Sequence, residues 1–178
     1  MTLELGWNED RLLRAYARGE RSAFTKLYEE YKTPVYHYLV KSCSNRADAD
    51  ELFQEVWLRV IASASSFEAH GRFRSWLFSV AHNCVVDHYR RAGRATLVEV
   101  TDDMASEAPT PDLNEGERIE RAIRRLPFEQ RQAFYLREIL GCSVKQIAEI
   151  QDIGVEAAKS RLRYAYGKLR EDLEGEDR

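Results

Sequence analysis

Apolar residues recur along this chain at the spacing of helices, and the strict alternation of a half-buried strand is not found. The stretch "NEDRLLRAYARG" puts Leu12, Leu13 and Tyr16 on one side, and "ERSAFTKLYEEYK" does the same with Phe24, Leu27, Tyr28 and Tyr31. Pro34 is expected to open a separate helix, "PVYHYLVKSC", at its first turn, where a missing N–H is no loss. Asp48 is the expected cap of "ADELFQEVWLRVIAS", whose Leu52, Val56, Val60 row and Phe53, Trp57 row give a broad apolar face. "SASSFEAHGR" reads as a loop from its Ser and Gly content, and "FRSWLFSVAHNCVVDHYRRAG" as a further helix ended by Gly93.

The periodicity then stops. "TLVEVTDDMASEAPTPDLNEGE", with its acids, Pro109 and Pro111, is a linker by composition. Helical spacing resumes in "ERIERAIRRL" and, after Pro127, in "FEQRQAFYLREIL". Ser143 followed by Gln146 is a capping-box pattern opening a short helix, "VKQIAEI". Beyond the break "QDIGV", Val155, Ala158, Leu162, Ala165 and Leu169 form one stripe, with Lys159, Ser160, Arg163 and Tyr164 on the other side. The expected fold is therefore all-α: helical modules at 1–95 and 113–178, a flexible acidic linker at 96–112, and a helix-turn-helix in the second module.

Composition narrows the class. At 178 residues the chain suits one ordinary domain or two small ones, and 44% apolar with 32% charged residues suits helices that pack in water. No run of 18 apolar residues occurs, so no membrane span is expected. The start lacks a basic segment followed by an apolar one, so no export signal is expected, and the cytoplasm is the expected address. Cys43, Cys84 and Cys142 are far apart and never in C-x-x-C spacing, which points to buried thiols rather than a disulfide or metal set.

The formal charge of −3 hides a segregation. Residues 71–94 carry five Arg against Asp87, and residues 155–170 carry five cations against Glu156, so each block is +4. Between them, residues 98–120 hold eight acids and only Arg118, giving −7.

A helix anchored by an inner stripe, offering cations, a hydroxyl and an aromatic outward, suits insertion into a DNA major groove. Charge alone would equally suit a solvated amphipathic helix. The cap, the short helix, the break and the small Ala157 and Ala158 together favour DNA. Glu51, Gln54, Glu55 and Arg59 form a polar face that suits either a docking surface or solvent. Phe67, Phe73, Trp76, Phe78 and Tyr89 are interleaved with Arg72, Arg74, Arg90 and Arg91, the mixture that captures unstacked bases and phosphates, although Trp76, Leu77 and Val80 also have the spacing of core positions. His82, Cys84, Asp87 and His88 invite an enzyme reading, but His82 stands five residues from Asp87 and six from His88, off any shared i, i+4 face. No Gly-rich phosphate loop, H-E-x-x-H or G-x-S-x-G occurs, and no catalytic, metal or cofactor site is expected.

Residues 126–170 resemble the fourth conserved region of bacterial sigma factors of the extracytoplasmic-function type. The signs are "LP-x-E-Q-R" from Leu126 to Arg131, "LRE" from Leu136 to Glu138, "IAE" from Ile147 to Glu149, and "AAKSRL" from Ala157 to Leu162. Two positions depart: Asp152 stands where the family usually has a turn Gly, although Asp also tolerates a left-handed conformation and the turn is expected to survive, and Ala158 stands where Val is usual. The first module resembles the family too. Glu51, Gln54 and Glu55 match the segment that grips the coiled coil of the largest polymerase subunit, and "W-L-x-x-[VIA]-A-x-N" runs from Trp76 to Asn83.

The resemblance implies a sigma factor that binds core RNA polymerase and directs promoter-specific initiation. Lys159, Ser160, Arg161, Arg163 and Tyr164 would then contact the −35 element, while the second module also meets the polymerase flap. Phe67, Arg74, Trp76, Asn83, Arg90 and Arg91 would contact the −10 element, with the loop of Ser66 to Arg72 holding an everted base at a cost of roughly a few kcal/mol. It also implies an anti-sigma factor as a partner. The rival is a stand-alone helix-turn-helix regulator, which would need a symmetric dimer and operator binding without polymerase.

Overall fold

The computed structural model describes residues 2–68, 72–93 and 114–175, with side chains from residue 8 onward. Among the described residues the chain is helical with no strand, as the periodicity predicted: α1 Thr2–Ala17, α2 Arg21–Ser42, α3 Arg46–Ser63, a 3-10 turn Ala64–Ser66, α4 Phe73–Arg91, α5 Glu115–Arg124, α6 Phe128–Glu138, α7 Val144–Ile150 and α8 Val155–Gly175. Two compact units result, one built on α1–α4 and the other on α5–α8. The module boundaries at 95, 96, 112 and 113 and the acidic linker lie outside the described residues.

In the first unit, α1 packs on α2 and on the 3-10 turn, and α2 packs on α3. The bend between α1 and α2 is made at Gly19, whose φ of +102° is open to glycine but strained for other residues. Pro34 does not open a new helix; it lies inside a continuous α2. Tyr31, Val35, Tyr38 and Leu39 are buried on either side of it, so one packing stripe carries the helix through the missing N–H. Nor is Asp48 the cap of α3. Asn45 is, its Oδ1 accepting from the Asp48 amide at 2.9 Å while its Nδ2 donates to Asp48 Oδ2 at 2.8 Å.

The core of this unit includes Leu13, Leu27, Leu39, Leu52, Val56, Val60, Phe73, Leu77 and Phe78. Aromatic edges join the helices: Tyr31 meets Phe73 with centroids 5.4 Å apart, and Tyr28 meets Trp57 at 4.9 Å. Two buried polar contacts complete it. The Tyr38 hydroxyl shares a 3.1 Å hydrogen bond with His82 Nδ1, which gives that histidine a structural partner. The Tyr31 hydroxyl donates to Glu9 Oε1 of α1.

In the second unit, α5 opens on a capping box in which Asn114 and Glu117 exchange side-chain and backbone bonds. Its Ala122 packs with Leu126 and with Ala165 and Leu169 of α8, flanked by Ile123, Phe134 and Leu173. The expected capping box at α7 is formed: the Ser143 amide donates to Gln146 Oε1 at 2.9 Å, and the Gln146 amide to Ser143 Oγ at 3.2 Å. Asp152 adopts φ +52°, so an aspartate holds the left-handed turn between α7 and α8. In the α8 stripe Ala158, Leu162, Ala165 and Leu169 are buried, but Val155 is 42% exposed, because the first turn projects past the packing surface.

Candidate nucleic-acid interface

On α8 the outward residues separate into two sets. Lys159, Arg163 and Tyr164 are exposed, Tyr164 at 58%, with the Arg163 guanidinium 5.2 Å from the centre of the Tyr164 ring. Lys159 pairs with Glu156 at 2.7 Å in an exposed contact worth roughly 0–1 kcal/mol, too weak to withhold it from a phosphate. Ser160 is half-buried beside them. Arg161 is turned elsewhere: it is half-buried and meets Glu129 of α6 at 2.8 Å, tying the two helices. The short turn before α7 is braced by Arg137, whose Nη1 donates to the Cys142 carbonyl at 2.9 Å.

On α4, Trp76, Asn83 and Arg90 stand at i, i+7 and i+14 and so share one face. Asn83, Arg90 and Arg91 are exposed and Trp76 is half-buried. At the start of the helix Phe67 and Trp76, with centroids 4.8 Å apart, lean together over Phe73, which is fully buried. Phe73 is thus the floor and the other two rings the rim. Residues 69–71 of the Ser66 to Arg72 loop lie outside the described residues. Arg74 does not join this face; it is half-buried and near enough to Glu9 to oppose, in small part, the rise that burial imposes on the pKa of that carboxyl.

On α3, Glu51 and Gln54 are exposed, and Glu55 is half-buried with its Oε1 taking the Arg59 guanidinium at 2.5 Å. Sequence reasoning put Arg59 on this polar face without a role. It also reaches Asp87 of α4 at 3.1 Å, and Asp87 lies one turn from Asn83. Burial works against its charge, but the bonds to Asp87 and Glu55 outweigh that and raise its pKa. Arg59 therefore neutralises the acid nearest the α4 strip. His88 Nε2 makes a second link from α4 to α3, 3.2 Å from Asp48 Oδ2.

Other residues were missed altogether. Leu58 and Ile61 are 66% and 40% exposed on α3, where helical periodicity gave no reason to expect bare apolar side chains. Leu58 follows Gln54 by four positions and Ile61 follows Leu58 by three, so they extend the Glu51, Gln54 face into a mixed polar and apolar surface. Asp10 is 1% exposed and accepts from the Phe73 amide at 3.1 Å, across 63 residues of sequence. No local signal points to it. Among the described residues no three His, Cys, Asp or Glu side chains come together in a way that would hold a metal ion, and no helix is long and apolar enough to cross a membrane.

Two family descriptions match this chain: sigma-70 region 2 over residues 27–95, and sigma-70 region 4 over residues 116–169, together well over half its length. The RNA polymerase sigma factor CarQ of Myxococcus xanthus is 30% identical over 165 residues, covering 90% of this chain and 95% of that protein. The ECF RNA polymerase sigma factor SigW of Bacillus subtilis is 26% identical, covering 90% and 94%. With the ECF RNA polymerase sigma factor BldN of Streptomyces coelicolor the identity is 31%, over 80% of this chain but 57% of that protein, so the chain spans little more than half of that relative. Among solved structures, CnrH in complex with the cytosolic domain of CnrY has a TM-score of 0.73 at 22% identity, covering 94% of this chain and 98% of that one. The sigma factor RpoE in complex with the anti-sigma factor NepR from Bartonella quintana has a TM-score of 0.68 at 23% identity, covering 85% and 96%. At these identities the structural likeness speaks for the fold.

Proposed function

The chain belongs to the sigma-70 family of RNA polymerase sigma factors, as an alternative factor of the extracytoplasmic-function type that directs transcription initiation, and on that footing we propose how its surfaces divide the work. The α3 face of Glu51, Gln54, Glu55 and Leu58 docks on the coiled coil of the largest subunit of core RNA polymerase. The α4 face meets the −10 element: Phe67 and Trp76 take an unstacked base over the Phe73 floor, Asn83 reads a base edge, and Arg90 and Arg91 hold phosphates. Helix α8 enters the −35 major groove with Lys159, Ser160, Arg163 and Tyr164, while Arg161 keeps α8 seated on α6 and the second unit also meets the polymerase flap.

The observation that carries this reading is the shared face of Trp76, Asn83 and Arg90 beginning at an aromatic rim. A solvated helix has no use for a half-bared tryptophan packed against a second ring. A stand-alone helix-turn-helix regulator would need the second unit but leaves this face and the α3 surface without a task. One of the structures sharing the fold holds the anti-sigma factor NepR and another the cytosolic domain of CnrY, which supports an anti-sigma factor as a partner here. The same reading places the protein in the cytoplasm, as a binding factor with no catalytic activity of its own.

The test is transcription by sigma-free core polymerase on fragmented genomic DNA of the source organism. Discrete start sites that depend on the chain and vanish when Glu51, Gln54 and Glu55 are changed to Ala support the assignment. Tight footprints by the protein alone, with no new transcripts, would reverse it in favour of the regulator.

A further inference from the structure

The residue that precedes α4 offers it no side-chain cap. The Trp76 amide donates to the Arg72 carbonyl at 3.0 Å, so Arg72 occupies the capping position, and an arginine side chain has only donors to offer. The first free amide of the helix, that of Phe73, instead donates to Asp10 of α1. This carboxylate is buried, it sits at the positive end of the α4 dipole, and its neighbour Glu9 accepts from Tyr31, whose ring packs on Phe73. Helix α1 also packs against the 3-10 turn that leads to Phe67. Both rims of the aromatic site, Phe67 on one side and Trp76 on the other, therefore rest on a surface that α1 fixes from behind.

We infer that Asp10 is a positioning residue for promoter opening: by capping α4 from α1 it fixes the Phe67, Phe73 and Trp76 cluster that receives the unpaired base. The inference rests on the base-capture reading of α4 given above. Asp10 is buried and its hydrogen bond runs to α4, so on this reading it meets neither DNA nor polymerase itself. Its loss should therefore affect the strand-opening step and spare both polymerase binding and the use of DNA that is already open.

The experiment compares holoenzymes carrying wild type, Asp10→Ala, Asp10→Asn and Trp76→Ala on one promoter, as a full duplex and with the −10 region pre-melted by mismatches. Asp10→Ala should transcribe the duplex about fivefold less, the fold-change of a typical lost helix cap, while staying within about twofold on the pre-melted template and in core affinity. Asp10→Asn keeps an acceptor oxygen and should recover most duplex activity. If Asp10→Ala does not fold, Asp10→Glu carries the same test, since it keeps the charge but shifts the acceptor by one methylene. Wild-type activity of the altered factor on duplex DNA, or an equal loss on both templates, overturns the inference. If Trp76→Ala shows no preference for the open template, the base-capture reading itself fails and the inference goes with it. If Trp76→Ala is selective and Asp10→Ala is not, only the role of Asp10 is refuted.

Discussion

Leu58 is the sharpest place to test the proposed docking face. A leucine 66% exposed on a helix contributes little to its own fold, so its value must come from a partner. Burying a leucine completely is worth about 1.5–3 kcal/mol, and roughly two thirds of that area is still in water here, leaving about 1–2 kcal/mol to be gained on docking. Leu58→Ala gives most of it up. At about 1.4 kcal/mol per tenfold, core polymerase binding should weaken by roughly 5- to 30-fold. The free protein should barely notice: leucine and alanine are both strong helix formers, and an exposed substitution stays within about 0.5 kcal/mol, a shift of under about 4 °C in the unfolding midpoint. The assay is competition with labelled wild type for core polymerase, run beside thermal unfolding by circular dichroism. Binding within twofold of wild type, while Gln54→Ala binds poorly, would show that Leu58 stays in water in the complex. A drop of 10 °C or so in the midpoint would show that it supports the fold, and the reasoning from exposure would be wrong.

Other consequences follow from single contacts. Burial raises the Glu9 carboxyl above its ordinary value near 4.5, with the Tyr31 hydrogen bond opposing the rise only in part, so the site's stabilising contribution is complete below that value and is lost as pH climbs through the folded-state pKa. Glu9→Gln stays neutral and keeps an acceptor; its stability relative to wild type, from denaturant unfolding across pH, should therefore rise through that window and level off above it. Gly167 lies in the exposed middle of α8 with open space around a built Cβ, so Gly167→Ala should stabilise the protein by about 0.5–1 kcal/mol in urea unfolding. Arg163→Ala should reduce the slope of log affinity against log salt for promoter binding by about 0.9, the loss of one phosphate contact. Arg161→Ala should leave that slope unchanged and instead cost up to about 1 kcal/mol of stability, because its partner is Glu129.

Local chemistry in the sequence was enough to read several elements. The Ser143 and Gln146 cap, the aspartate tolerating a left-handed turn at 152, the glycine stop at 93 and the buried stripe of α8 after Val155 all depend on residues a few positions apart, and all stand as read. Where the reading failed, a neighbour intervened. Pro34 should break a helix by its own backbone chemistry, yet buried side chains on both sides of it keep α2 whole. Asp48 was the expected cap, yet α3 starts at Arg46 and Asn45 serves instead, because the chain from α2 enters the helix three residues earlier.

The candidate sites divide in the same way. Spacing alone puts Trp76, Asn83 and Arg90 on one side of a helix, and Lys159 and Arg163 on one side of another, because a helix repeats every 3.6 residues whatever surrounds it. Spacing does not reveal that Arg161 faces Glu129, that Arg59 bridges Glu55 to Asp87, or that Asp10 caps a helix 63 residues away. Hydrophobic periodicity records which face of each helix turns inward, and so the helices, the all-α class and the charge-segregated surfaces belong to the sequence. Which charges are spent on neighbours and which remain for DNA belongs to the tertiary structure, since an ion pair or a cap needs two groups within about 3 Å, and only packing brings distant segments that close.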